Sequence, residues 1–360
     1  MLKVNAAVLS KLNKPLVIKR LKLRPLESGQ VLVKILYSGV CRSQLMEVRG
    51  LRGKDQWLPH LLGHEGSGIV LDTAPDVKKF SKGDEVILSW IKASGIEAKG
   101  ALYDSDNEVI NSGKVTTFSN YSVVSENRLI SKPKNLDFDT AILFGCALPT
   151  GAGMVINEID VNKDSLVIVI GLGGIGLSAI AMLLALNIKK IIAIDISTKK
   201  LDLVKEWGVN NVISAKNPNL NKIIYSLFPD GADFCIESAG KASTIELGFS
   251  LLNMHKGKLL FASHPPEGDK ISIAPHELIS GKNIAGSWGG GIDPDRDMPI
   301  LFHNFNSANF PLNSLLTSPY SLFDINRALD DLESGKVLRP LIKMEPVSYT
   351  HLTLPTIYSV

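Results

Sequence analysis

The sequence predicts an α/β chain with a β-rich amino-terminal region followed by a doubly wound parallel sheet. Three observations carry this. At 360 residues the chain has the length of about two domains. Up to about residue 150, short apolar runs are separated by Gly, Pro, Asp and Lys turns, as in a β-rich domain. From about residue 160 the rhythm changes to strands alternating with helical segments, which implies parallel strands joined by crossover helices.

The first region opens with MLKVNAAVLSKLNKPLVIK, whose apolar and polar residues alternate as in strands. It lacks the long uncharged core of a signal peptide. Further strands are expected at residues 30–37 (QVLVKILY), 68–71 and 85–89. In the second region, residues 165–170 (SLVIVI) form a continuous apolar run, as a buried parallel strand requires. Helical character follows at 174–186. Then come strand 190–195, helix 198–207, strand 211–214, helix 220–228, strand 232–237, a helix from 243, and strand 257–262. After about 290 a mixed region is expected, with a helix at 323–334 and a last strand near 337–343. The most apolar stretch, residues 175–188, is too short to span a bilayer.

With 45% hydrophobic and 21% charged residues, the composition is that of an ordinary globular protein with large cores. The net charge is +3 and the basic residues are dispersed, so nothing points to nucleic acid or a membrane surface. Three widely spaced cysteines, at 41, 146 and 235, make a poor disulfide framework and suit a reducing, cytoplasmic location.

Gly171-Leu172-Gly173-Gly174-Ile175-Gly176 is a G-x-G-x-x-G loop placed directly after an apolar strand and opening a helix. The first glycine makes the tight turn, the second admits a pyrophosphate to the backbone, and the third lets helix and strand pack closely. Free N–H groups at the helix start favour the phosphates. Asp195 ends the next strand, 24 positions after the first glycine, where a carboxylate accepts hydrogen bonds from the ribose hydroxyls of NAD and repels the 2′-phosphate of NADP. Lys199 and Lys200 follow, either to soften that exclusion or, for Lys200, to lie along the adenosine ribose. A structural glycine turn with a surface Asp, or a methyltransferase loop, are alternative readings of this stretch. The methyltransferase reading does not account for the next constellation.

Cys41 lies in SGVCRS, His64 in GHEG and Cys146 in FGCALPTG. Two thiolates and an imidazole can hold Zn²⁺ tetrahedrally with one position open, the pattern of a catalytic site. Spacing alone is weak support, since lone cysteines are more often inert core residues. Each candidate ligand, however, has a glycine close by, in a chain that also carries a nucleotide loop.

Together the GVCRS, GHEG, GC-x-x-x-TG and GLGGIG segments, in this order, resemble the medium-chain dehydrogenase/reductase superfamily of zinc alcohol dehydrogenase type, over about residues 1–345. The resemblance implies a GroES-like catalytic domain at 1–150 and 288–346 and an NAD-binding Rossmann domain at 151–287, with the cofactor in the cleft between them. It makes Cys41, His64 and Cys146 the ligands of one catalytic zinc and Glu65 the acid behind the metal. Ser43 becomes the hydroxyl that takes the substrate proton. Arg42 and Arg339 become pyrophosphate-binding arginines, Thr150 a residue against the nicotinamide, and Trp90 a substrate-pocket aromatic. A core role for Trp90 is an equal alternative. The implied reaction moves a hydride between an alcohol, or its aldehyde or ketone, and NAD, in a homodimer paired through a strand near 283–288.

Three departures from the family pattern matter. Residues 90–115 contain no cysteine, so the four-cysteine structural zinc site of many relatives is absent and one zinc per chain is expected. Gln44 stands where an Asp usually orients the zinc-bound His; its carbonyl can accept the imidazole N–H but carries no charge. Met46 stands where some members use a His to pass the proton to solvent. Among the other histidines, His60 is expected to be structural, because Pro59 and Gly63 argue against a helical ligand pair with His64. Cys235 is expected to be buried and inert. A zinc-free reductase of the same superfamily and a non-catalytic nucleotide-binding protein are the competing functions. The substrate stays open among primary alcohols, polyols and sugar derivatives. Residues 347–356 (VSYTHLTLPT) resemble the translated read-through of a transposase adapter, so 347–360 is expected to be an artefactual tail.

Overall fold

The computed structural model describes residues 2–106 and 108–345; the 347–360 tail lies outside them. The amino-terminal half contains β1 (Lys3–Leu9), β2 (Val17–Leu23), β3 (Gln30–Gly39), α1 (Arg42–Val48), β4 (His60–Leu61), β5 (Glu65–Thr73), β6 (Glu85–Ser89), β7 (Leu102–Ser105), β8 (Glu108–Asn111), β9 (Tyr121–Ser125), β10 (Leu129–Ser131), α2 (Phe138–Ala141) and α3 (Ala147–Gly153). Strands β1, β2, β7, β8 and β4 close a small barrel. A second, mixed sheet is centred on β3, which pairs antiparallel with β5 and β9. The inward residues of these strands, among them Val31, Val33, Ile35, Val70, Val86 and Leu88, are buried in a common core. β7 and β8 form an antiparallel hairpin.

The second half follows the predicted alternation. It comprises β11 (Val167–Ile170), α4 (Gly174–Ala185), β12 (Ile191–Asp195), α5 (Thr198–Glu206), β13 (Asn211–Ser214), α6 (Leu220–Leu227), β14 (Phe234–Glu237), α7 (Ala242–Ser250), β15 (Lys258–Phe261), α8 (Pro275–Ile279) and β16 (Asn283–Gly286). These six strands are all parallel, in the order β13-β12-β11-β14-β15-β16. All four residues of β11 are buried, as expected for a strand covered on both faces. Helix α4 is apolar all round and is buried over Gly176–Leu183, which explains why it lacks a polar stripe. β16 lies at one end of the sheet.

Helix α9 (Pro294–Ser307) was not foreseen. Its start carries clear signals: the Asp293 carboxylate accepts from the Asp295 N–H, and Pro294 sits at the first helical position. The internal Pro299 obscures the pattern. Met298, Leu301 and Phe305 share one buried core with α4, and Phe302 stacks 4.3 Å from Phe144. The Asp295 carboxylate also accepts from Lys79 Nζ at 2.5 Å and from the Ser94 N–H at 2.6 Å, which clasps α9 to the loops of the amino-terminal half. The chain then returns to the second sheet through β17 (Tyr320–Ser321), α10 (Ile325–Glu333) and β18 (Leu341–Lys343), with β18 antiparallel to β3. Ile325, Ala328 and Leu329 dock α10 on the β3 core. This return places Arg339 beside the glycine loop. Among the described residues no single helix is long and apolar enough to cross a membrane.

Candidate active site

Sheet pairing brings together segments far apart in sequence. Cys41 follows β3 as the N-cap of α1, and His64 and Glu65 enter β5, which pairs with β3. Cys146 caps α3. Gly145 is held against β5 and β6: a Cβ on it would lie 2.6 Å from the Leu88 carbonyl and 2.8 Å from Glu65 Cβ, so only glycine lets Cys146 approach this closely.

The three predicted ligand atoms lie within 4.8 Å of one another. Cys41 Sγ and Cys146 Sγ are 3.9 Å apart, and His64 Nε2 is 3.1 Å from Cys146 Sγ. A tetrahedral Zn²⁺ with its usual bond lengths would separate two thiolates by about 3.8 Å and a thiolate from an imidazole nitrogen by about 3.5 Å. The donor set therefore fits zinc with one coordination position open.

Electrostatics agree. The contact with Cys146 pulls the Cys41 thiol well below its ordinary value against burial, with help from His64. The same contact and burial push Cys146 well above its own. Protein charge alone thus supports one thiolate in this buried pocket, and a divalent cation would supply the charge for both. Burial opposes protonation of His64, but the bond to Cys41 together with the charges of Cys41 and Glu65 outweighs it and its basicity rises.

Gln44 reaches His64, but it is the amide nitrogen, not the expected carbonyl, that lies 2.5 Å from Nδ1. The amide nitrogen faces the ring, and Gln44 Oε1 is buried without a partner. A metal on Nε2 requires the proton on Nδ1, and turning the amide by 180° gives that proton an acceptor and Oε1 a partner. Glu65 is fully buried and forms an ion pair with Arg339 Nη2. Burial raises the Glu65 carboxyl, and Arg339 pulls it back. Its other oxygen, Oε1, has no partner. Five of the eight buried polar side-chain atoms without a partner among the described residues belong to this region: Ser43 Oγ, Gln44 Oε1, Glu65 Oε1, Trp90 Nε1 and Arg339 Nε. Such atoms are costly unless a ligand satisfies them.

The glycine loop leaves no room for side chains at two of its positions. Gly171 has φ +86°, and a Cβ there would meet Ala239 N at 2.5 Å. A Cβ on Gly176 would strike the Gly171 carbonyl at 1.9 Å, while one on Gly173 would meet nothing within 4 Å, leaving open space where a pyrophosphate would lie. Asp195 is 7% exposed, and its oxygens accept the Leu172 N–H at 2.6 Å and the Ser197 N–H at 2.8 Å. The carboxylate thereby orders the loop. Lys200 is half-buried on α5. Arg339 bridges the two halves of the site: Nη2 holds Glu65 while Nη1 lies 2.7 Å from where a Gly174 Cβ would be. Arg42 is exposed at the start of α1. Thr150 is buried, its Oγ1 donating to the Cys146 carbonyl at 2.8 Å. Trp90 packs edge-on to Trp288 at 5.2 Å.

Residues 27–134 match the family model described as an alcohol dehydrogenase GroES-like domain, and residues 174–306 match the one described as a zinc-binding dehydrogenase. The chain belongs to the zinc-type alcohol dehydrogenases of the medium-chain dehydrogenase superfamily. The alcohol dehydrogenase class-2 isozyme 2 of Oryctolagus cuniculus is 28% identical, covering 95% of this chain and 98% of its own. Among solved structures, the benzyl alcohol dehydrogenase of Acinetobacter calcoaceticus superposes with a TM-score of 0.86 at 27% identity, over 96% of this chain and all of its own. An alcohol dehydrogenase zinc-binding domain protein of Burkholderia ambifaria gives 0.86 at 26% identity, with the same coverage. This alcohol dehydrogenase carries one buried group that sequence reasoning left aside: His60, read as structural, is buried beside Asp55 and Glu47.

Proposed function

We propose that this dehydrogenase transfers a hydride between an alcohol, or the corresponding aldehyde or ketone, and NAD, using one catalytic zinc on Cys41, His64 and Cys146. The observation that carries it is the donor triad with an open side, tied through Glu65 and Arg339 to the glycine loop. Zinc at these ligands supplies Lewis acidity that makes an alcohol hydroxyl easier to ionise, and the nicotinamide supplies the hydride acceptor. The chain's residues do the rest. Ser43 Oγ, free of protein partners, accepts the substrate proton. Met46 cannot carry that proton onward, so with a dinucleotide bound its ribose would have to supply the path from Ser43 to solvent. Gln44 fixes the His64 ring. Arg42 and Arg339 neutralise the pyrophosphate, and Thr150 supports the nicotinamide face. Trp90 lines the substrate side and offers its unpaired N–H. Asp195 selects NAD by accepting both ribose hydroxyls and repelling a 2′-phosphate, with Lys200 alongside.

A cytoplasmic homodimer paired through the end strand β16 is part of the same reading. The test is zinc content together with NAD⁺ and NADP⁺ reduction over an alcohol panel, for the wild type and Cys41→Ala. The variant is expected to lose one zinc equivalent and all hydride transfer. Activity that survives the loss of Cys41 would favour the zinc-free reductase.

A further inference from the structure

We propose that Glu47, Asp55 and His60 form a second divalent-cation site, of mixed imidazole and carboxylate donors, that staples α1 to β4 beside the catalytic centre. Their ligand atoms lie within 4.8 Å of one another. His60 is buried in β4, and its Nδ1 lies 2.9 Å from the Leu61 carbonyl. A carbonyl only accepts, so Nδ1 carries the proton and the neutral ring turns a lone pair, on Nε2, toward the carboxylates. Nε2 is 2.8 Å from Asp55 Oδ2 and 3.8 Å from Glu47 Oε1. Acceptors facing one another require a proton or a cation between them: a second ring proton, a protonated carboxyl or a bound cation.

The geometry admits the cation. Imidazole and carboxylate donors around tetrahedral zinc would sit about 3.3 Å apart, and the two observed separations bracket that value. Each ligand is oriented from behind, as metal ligands are. The Leu61 carbonyl holds His60, the Trp57 N–H donates to Asp55 Oδ1 at 2.8 Å, and Arg52 lies 3.5 Å from Glu47 Oε2, the oxygen turned away from His60. A cavity of about 470 Å³ touches Glu47, Trp57 and His60 and gives water access to complete the coordination. Gln44 and His64 line the same cavity. A cation here would tie together the helix that carries Ser43 and Gln44 and the strand that leads into His64. The expectation of one zinc per chain rested on the missing cysteines, and this donor set contains none.

The inference is independent of the catalytic reading. The experiment is equilibrium dialysis of the full chain against micromolar Zn²⁺, with metal counted by mass spectrometry. Two zinc equivalents are expected in the wild type and one, at the second site, in Cys41→Ala. The second-site zinc should bind at least tenfold more weakly in His60→Ala and in Asp55→Asn. Asp55→Asn keeps the side-chain shape and secures the test if the buried His60→Ala fails to fold. A second equivalent that survives both substitutions, or a wild type that holds zinc only at the Cys41 site, would overturn the proposal.

Discussion

Replacing Arg339 with methionine removes the guanidinium that pairs with Glu65 while keeping most of the side-chain volume. Glu65 is fully buried and Arg339 is 6% exposed, so no solvent replaces the lost partner. An uncompensated buried charge of this kind costs about 3–5 kcal/mol. Protonating Glu65 sets a ceiling on that cost. A carboxyl with an unfolded-state pKa of about 4.3 costs about 3.7 kcal/mol to neutralise at pH 7 and about 1 kcal/mol at pH 5. The Glu65 carboxyl already lies above its ordinary value because of burial, and losing Arg339 raises it further. A folded-state pKa above the unfolded one gives a penalty absent below about pH 4 that grows as pH rises toward the folded value. Arg339→Met should therefore cost roughly 3–4 kcal/mol at pH 7 and about 1 kcal/mol at pH 5. Urea unfolding of variant and wild type at both pH values, in the presence of a zinc chelator, measures it. Equal penalties at the two pH values would refute the reasoning, because the loss would then be one of packing and not of charge.

Three further outcomes follow from the same geometry. Gln44→Leu should weaken zinc binding by about 10–100-fold, and Gln44→Asp should strengthen it, as read by chelator competition; unchanged affinity in both would remove Gln44 from the support of His64. Asp195→Ser should lower the ratio of kcat/KM for NAD⁺ over NADP⁺ at least about tenfold, and an unchanged ratio would mean that the carboxylate serves only the Leu172 and Ser197 N–H groups. Leu301→Ala, in the core shared by α9 and α4, should cost about 2–5 kcal/mol in urea unfolding, whereas a loss under 1 kcal/mol would show that α9 docks weakly.

What the sequence determined by itself was local. Strand β11 and the loop that follows it were legible because an apolar run, three glycines and a downstream carboxylate act over a few tens of residues, where periodicity and steric demand are written directly in residue type. The proposed zinc ligands were legible because each sits in a short motif. Other features depended on long-range pairing. Helix α9 was hidden because Pro299 interrupts its pattern and its apolar face has meaning only against α4. His60 read as an isolated residue because its partners, five and thirteen positions away, meet it only where α1, the following loop and β4 converge. Gln44 could be named as the support of His64, but the unpaired Oε1 beside it appears only in three dimensions. Arg339 needed the chain's return through β18 to stand between Glu65 and Gly174. Burial, charge pairing and donor separations of a few ångströms are properties of the packed chain, so the tertiary structure alone decided them.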